Sequence, residues 1–236
     1  MGALTATVPK PLLTVGGRPI IEHIVRGLGA AGAAEVIIVT GYRGEQVQDH
    51  LGDGRQCGAR LTYRTQETQD GTARALLRAR DLIADRPFVV AWGDVMVQPE
   101  NYATLLAEYH RSPCAALLMV NDIDDPWRGA AVYVNAEWRV TRLVEKPARG
   151  SSTTRWNNAG ISVFTPLILS YAERLAPSSR GEYELPQAIA AMLADGLIVR
   201  ARPVRGFWSD LGTPADLAAA EAASGLSVTA PQAHGG

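Results

Sequence analysis

Apolar residues recur along this chain with two periods that take turns. In PIIEHIVRGLGAAG (19–32) they fall three or four apart and the run closes on glycine, the signature of an amphipathic helix. EVIIVTG (35–41) follows as a short β-branched run, long enough for a strand and too short for a helix. The alternation continues: GEQVQDHL reads as helix, ARLTYRTQ as strand, GTARALLRARDLI as helix, PFVVAWGD as a buried strand, YATLLAEYH as helix and CAALLMVND as strand. Strands joined by helical crossovers predict a layered α/β domain, with a mostly parallel sheet and helices on both faces.

After residue 126 the texture changes. GAAVYVN and WRVTRLVEKP are strand-like runs separated by only a few residues, which favours an antiparallel hairpin. NNAGISVF adds a strand, PLILSYAERL and YELPQAIAAMLADG read as helices, and LIVRARPV and GFWSDLG as strands. TPADLAAAEAAS closes the pattern as a helix with Thr213 as N-cap and Pro214 at its first position. The polar, glycine-bearing GLSVTAPQAHGG is expected to be a disordered tail, so the division is one domain over 1–222 and a tail over 223–236. No internal repeat is present, and no hexapeptide repeat of the kind that builds a β-helix.

Composition narrows the function classes. At 236 residues and 47% hydrophobic, the chain can bury one substantial core. A formal net charge of −1, with no block of like charges, gives no electrostatic reason to bind nucleic acid or an anionic membrane. No apolar run reaches spanning length and the first residues lack the plan of a secretory signal, so a cytoplasmic protein is expected. Cys57 and Cys114 have no C-x-x-C companion; they could pair, but read as reduced thiols without chemistry.

Ligands of open α/β sheets bind at strand ends and in the loops beside them. VVAWGDV delivers Asp94 to the end of a buried strand, with Gly93 leaving room for a backbone or a phosphate. A carboxylate there suits Mg²⁺, which takes one or two protein carboxylates and completes its shell with phosphate and water. A turn or capping aspartate is the competing reading. GFWSDLGTP shifts the balance, because Asp210 ends a second strand and two strand ends can serve one metal. Lys10 is set between Pro9 and Pro11, and Lys146 between Glu145 and Pro147. Lysines in such stiff loops suit phosphate groups, and a glutamate beside one can accept hydrogen bonds from hydroxyls. In YRTQETQDGTARAL, Gln66 can both donate to and accept from a base edge, Gly71 leaves room for a planar ring, and Thr72 can cap the following helix. Asn158 and Gly160 offer an amide beside open space. His23, His50 and His110 read as packing or helix-surface residues, and no nucleophile dyad is present.

Taken in order and at these intervals, PKPLL, GTARAL, WGDV, EKP, NAGISVF and WSDLGTPADL resemble the sugar-1-phosphate nucleotidyltransferase family, the NDP-sugar pyrophosphorylases, over nearly the whole chain to about residue 220. The resemblance implies a Rossmann-like α/β fold with a mixed, mostly parallel sheet and a small antiparallel substrate-binding part. It also implies Mg²⁺ dependence and the joining of a nucleoside triphosphate to a sugar 1-phosphate with release of pyrophosphate. By position, Lys10 would contact the phosphates, Gln66 and Gly71 the base beside Thr72, and Asp94 and Asp210 the metal. Glu145, Asn158 and Gly160 would hold the sugar, with Lys146 on its phosphate. Glu182 and Glu184 either reach the sugar pocket or belong to a helix start. The DGTARAL loop resembles members that use UTP or dTTP, with glucose as the commonest sugar, and the family often forms homo-oligomers.

In this family PKPLL follows a strand and a phosphate-wrapping G-x-G-T-R loop, and Met1 stands where the apolar residue after that loop would be. The expectation is therefore a chain as written that lacks the loop, leaves two neighbouring strand edges unpaired and has poor stability. Two other functions compete. Asp122 and Asp124 form a D-x-D of the sort that metal-dependent glycosyltransferases use, and a paralogue without the loop could regulate an active partner instead of turning over.

Overall fold

The computed structural model describes residues 8–223. Two short strands, β1 (Thr14–Val15) and β2 (Arg18–Pro19), pair with each other and lead into helix α1 (Ile20–Ala30). Strand β3 (Glu35–Thr40), helix α2 (Gly44–Leu51), strand β4 (Arg60–Thr65), helix α3 (Thr72–Leu77) and strand β5 (Phe88–Ala91) then alternate as the periodicity predicts. Strand β6 (Met96–Val97), helix α4 (Glu100–Arg111), strand β7 (Ala116–Asp122), and the hairpin of β8 (Ala130–Val134) and β9 (Val140–Glu145) follow. The chain continues through β10 (Trp156–Phe164), α5 (Leu167–Glu173), α6 (Leu185–Ala194), β11 (Val199–Pro203), β12 (Trp208–Ser209) and α7 (Pro214–Ala223). No helix among the described residues is long and apolar enough to cross a membrane. Residues 224–236 of the expected tail lie outside the described residues.

The architecture is α/β, with a mixed sheet. Its six strands run in the order β11–β7–β10–β8–β9, with β5 added to β10. The pairs β3–β4 and β7–β11 are parallel, and the β8–β9 hairpin is antiparallel as its short connection predicts. At its tip the Asn135 side chain accepts hydrogen bonds from the amides of Glu137 (3.1 Å) and Arg139 (2.9 Å), a turn chemistry typical of asparagine. Strand β10 organises the rest. One edge pairs β7, and the other pairs β5 through Ile161–Phe164 and meets Ala131 of β8 at Asn157. All but the first of its nine residues are buried.

Two apolar cores result. The first gathers Ile20, Ile24 and Val25 of α1 with Val47, Leu51, Tyr102 and Leu105; the second gathers Leu118, Val132, Phe164, Ile168, Ile189 and Met192. Gly27 marks how closely α1 and α4 approach, because a Cβ there would stand 2.6 Å from the Tyr102 ring. At the start of α7 the Thr213 hydroxyl accepts from the Asp216 amide (3.2 Å) while the Asp216 carboxylate accepts from the Thr213 amide (2.7 Å). That reciprocal pair is the expected cap at Thr213.

Two features of the segment around Thr72 depart from the sequence reading. Helix α3 stops at Leu77 and a separate 3-10 turn over Arg80–Leu82 replaces the rest of the long helix expected from GTARALLRARDLI. Thr72 does not cap α3, whose N-cap is Gly71; its hydroxyl accepts instead from the amide of Leu185 (2.9 Å), the first residue of α6. The D-x-D aspartates Asp122 and Asp124 are both engaged by Arg155, at 2.6 and 2.8 Å.

Among the described residues, strands β3 and β5 each pair on one edge only, β3 with β4 and β5 with β10. Between their other edges runs a groove continuous with the cleft that Asp94, Glu145 and Lys146 line, about 1390 Å³ in all. The apolar run PFVVA was expected to be buried, yet all four residues of β5 stay partly exposed, whereas β7 is buried from Ala116 to Asn121.

Candidate active site

Lys10 opens a 3-10 turn over Lys10–Leu12, closed by Leu12 N–H to the Pro9 carbonyl (2.9 Å) and Leu13 N–H to the Lys10 carbonyl (3.0 Å). Its ammonium donates to Asp94 Oδ2 at 2.7 Å and to the backbone carbonyl of Asp210 at 2.6 Å. Three residues more than 80 positions apart thus meet at one point. The ladder between β6 and β12 explains the meeting, since Ser209 pairs with Met96 and carries Asp210 alongside the turn that follows Asp94. Leu211 helps to aim Asp210. It is fully buried in a left-handed conformation (φ 46°), and its amide is held by the Ser209 hydroxyl at 3.0 Å. A β-carbon on Gly93 would meet only ordinary contacts at 3.8 Å, so the space beside it is not consumed by internal packing.

Asp94 is partly exposed and Asp210 exposed, so both carboxylates remain open to a cation. Two hard oxygen donors with open positions fit Mg²⁺. Among the described residues no three of His, Cys, Asp and Glu converge as a metal cage. A metal here would need ligands from phosphate and water.

The Gln66 amide donates to Asp70 Oδ1 and to the Gly71 carbonyl, both at 3.0 Å, and so ties the loop that follows β4. Gly71 has a physical reason different from the one read in the sequence. Its φ is 119°, and a Cβ would lie 2.4 Å from the Tyr183 carbonyl oxygen. The segments before α3 and α6 are laced together there by Tyr183 N–H to the Asp70 carbonyl (2.7 Å) and Ala73 N–H to the Tyr183 carbonyl (2.9 Å).

Glu145 ends β9 and Lys146 follows it. Lys146 takes a left-handed conformation (φ 41°) with its amide donating to the Gly129 carbonyl at 2.7 Å. Burial pushes the Glu145 carboxyl up to about 7, opposed by the nearby Lys146 and Arg180 charges and reinforced by Glu182. Arg180, which the sequence reading passed over, lies 3.7 Å from Glu145 and also bonds Glu184. Its place four residues before Glu184, with Glu182 between, was the available signal. Glu184 is the N-cap residue of α6, and with Glu182 it lines the cleft shared by Asp94, Glu145 and Lys146.

Asn158 and Gly160 sit on β10 where its register against β7 shifts. The Asn158 side chain accepts from the Gly160 amide (3.2 Å), and Gly160 (φ 80°) has the Trp92 ring where a Cβ would be, at 2.6 Å. Trp92 is a second residue missed in the sequence. It lines both the large cleft and a small cavity bounded by Asn158, Gly160 and Leu185.

The geometry therefore brings Lys10, Asp94 and Asp210 into one group, and Glu145 and Lys146 onto the same cleft as Asp94. Gln66 and Gly71 stand in the loop before α3, and Asn158 and Gly160 line the small cavity beside Trp92 rather than the cleft itself.

The chain is 33% identical over 215 residues to the low-salt glycan biosynthesis nucleotidyltransferase Agl11 of Haloferax volcanii, covering 91% of this chain and 59% of that protein. It is 32% identical over 222 residues to the UTP–glucose-1-phosphate uridylyltransferase AglF of the same organism, covering 92% and 88%. It spans 49% of a bifunctional protein GlmU of Methanococcus maripaludis, at 29% identity. A crystal structure assigned as a glucose-1-phosphate thymidylyltransferase from Bacillus anthracis superposes with a TM-score of 0.85 at 27% identity, over 98% of this chain and 92% of that one. A UDP-glucose pyrophosphorylase complexed with UDP-glucose shares the fold, with a TM-score of 0.83 at 20% identity, over 94% and 92%. The family model described as Nucleotidyl transferase matches residues 2–225, and the chain belongs to that family.

Proposed function

We propose that this chain joins a nucleoside triphosphate, UTP or dTTP, to a sugar 1-phosphate, glucose 1-phosphate or a related hexose, releasing pyrophosphate and giving an NDP-sugar. The observation that carries the reading is the meeting of Lys10 with Asp94 and Asp210 at the ends of two strands. The relatives named above support its substrate class.

The sugar phosphate oxygen attacks the α-phosphorus. The new P–O bond forms as the bond to pyrophosphate breaks, and the leaving group carries away the electron pair. With a second phosphate pKa near about 6, the attacking oxygen is largely deprotonated at neutral pH, so no general base is needed. The task is to hold two anions together in line. Lys10 supplies a fixed positive charge for the triphosphate, and Lys146 neutralises the sugar phosphate. Asp94 and Asp210 hold Mg²⁺, which supplies further neutralisation of the phosphate charge. Glu145, Asn158 and Gly160 border the sugar. Gln66 serves the base edge with Gly71 and Thr72 beside it, the Thr72 hydroxyl being committed to the Leu185 amide.

The test is pyrophosphate release with Mg²⁺ across common nucleoside triphosphates crossed with hexose and hexosamine 1-phosphates. Release with UTP or dTTP and glucose 1-phosphate, lost in Asp94→Asn, is expected. Folded protein that releases none with any pair refutes the reading. Consumption of a nucleotide sugar without pyrophosphate would point to glycosyl transfer, although Arg155 already engages the D-x-D aspartates.

A further inference from the structure

Two loops, 123–129 between β7 and β8 and 146–155 between β9 and β10, are laced together. The Ile123 amide donates to the Arg155 carbonyl at 3.0 Å, and the Gly150 amide to Asp125 Oδ2 at 2.7 Å. Their carboxylates are all committed. Arg155 holds Asp124, and also Asp122 at the end of β7, while Asp125 takes the Gly150 amide and keeps its second oxygen buried without a hydrogen-bond partner. Two cations are left over. The guanidiniums of Arg128 and Arg149, one from each loop, lie over the Trp127 ring at 4.7 and 5.7 Å from its centre, and among the described residues neither has a carboxylate partner. A guanidinium stacked by its face keeps its N–H fork free to grip a carboxylate or phosphate through two parallel hydrogen bonds. Arg128 also lines the cleft, together with Gly129, Glu145 and Lys146. The Gly129 carbonyl accepts from the Lys146 amide at 2.7 Å, so Arg128 stands one residue from the partner of Lys146.

We propose that Arg128, with Arg149 beside it on the Trp127 ring, is a specificity-determining residue that takes a second anionic group on the sugar. The preferred substrate is then a hexose 1-phosphate that carries a further carboxylate or phosphate away from C1. This subsite rests on the proposed function above, in which the 1-phosphate sits on Lys146. One substrate charge is neutralised there, and a neutral hydroxyl would leave most of the Arg128 donors to water. An oxyanion engages two of them at once and is drawn by the charge as well. A carboxylate makes the substrate a hexuronic acid 1-phosphate; a phosphate makes it a hexose bisphosphate.

Isothermal calorimetry on the full chain, with Mg²⁺ and the uncleavable α,β-methylene analogue of UTP held saturating, compares glucose 1-phosphate, glucuronic acid 1-phosphate and glucose 1,6-bisphosphate. At least one of the two doubly anionic sugars should bind at least about tenfold more tightly than glucose 1-phosphate, the lower end of what a hydrogen bond to a charged group contributes. The one that does so identifies the group. Arg128→Ala should remove the preference. Arg142→Ala should keep it, because Arg142 is likewise stacked on an aromatic ring, that of Tyr133 at 5.3 Å, but does not line the cleft. Equal affinities, no measurable binding of any of the three, a preference that survives Arg128→Ala, or one that Arg142→Ala also abolishes overturns the proposal. Binding needs no turnover. A preference that depends on Arg128 in a chain that releases no pyrophosphate with any pair therefore retains the subsite and removes the nucleotidyl transfer.

Discussion

Replacing Gly71 with alanine puts a number on how firmly the loop after β4 is held against the start of α6. The backbone at Gly71 has φ 119° and ψ 167°. That region is essentially reserved for glycine, and forcing another residue into it costs on the order of 1–3 kcal/mol. The added methyl would also meet three Tyr183 backbone atoms at 2.4 to 2.8 Å. Backbone cannot rotate away as a side chain can, so overpacking adds about 1–3 kcal/mol. The sum, about 2–6 kcal/mol, is a large share of the ~5–15 kcal/mol that holds a typical domain together. Gly181 supplies the comparison: it lies in the same stretch, has φ 79° and has nothing within 4 Å of its would-be Cβ. Alanine there meets only the conformational cost, about 1–2 kcal/mol. Urea denaturation of both variants, with parallel near-UV spectra to confirm the fold, measures the difference. If Gly71→Ala costs no more than Gly181→Ala, the contact with Tyr183 is not what requires glycine at this position.

Other substitutions separate chemistry from scaffolding. Asp210→Asn should lower turnover by at least about 100-fold at every Mg²⁺ concentration, with the urea midpoint nearly unchanged because the side chain is exposed. Lys146→Ala should raise the KM for sugar 1-phosphate roughly 10–100-fold, the value of one charge-assisted contact, while the KM for nucleotide stays put. Glu145 has a folded pKa near 7 against an ordinary value of 4.5, so the folded state keeps the proton more tightly in between. Stability from this group is therefore lost as pH rises through that window, on the order of 3 kcal/mol in total. Glu145→Gln should flatten that part of the pH–stability profile; an unchanged profile would mean that Glu145 is ionised at no cost.

Much of the fold was legible because its elements are long and strongly periodic. Helix α1 and strands β3 and β7 lie where the apolar spacing puts them, and the Thr213 cap announces itself by the residues around it. The two-residue strands β1, β2 and β6 escaped, since a period cannot be read from two positions. Thr72 was misread for a related reason. Threonine before a helical run signals a cap, but its actual partner, Leu185, is 113 positions away. The site behaved in the same way. Proline-flanked Lys10 and the aspartates at strand ends were visible locally, whereas Arg180 and Trp92 matter through contacts that only the fold creates. The size of the cleft was not legible, because its apolar walls come from α1 and α3 packed beside strands far away in sequence.

Strand β10 has a consequence for how this protein is made. Among the described residues Phe88–Ala91 pairs only with Ile161–Phe164, some 70 residues later in the chain, and β7 lies between β10 and the still later β11. Pairings of such long sequence separation incur their loop-closure entropy before they return any stabilisation, which slows folding. On the ribosome, β5 emerges with an apolar face and no partner until Phe164 has been synthesised, and the sheet is finished only after Pro203. The first half of the polypeptide must therefore wait for the second, which makes the interval between them a period of exposure to aggregation.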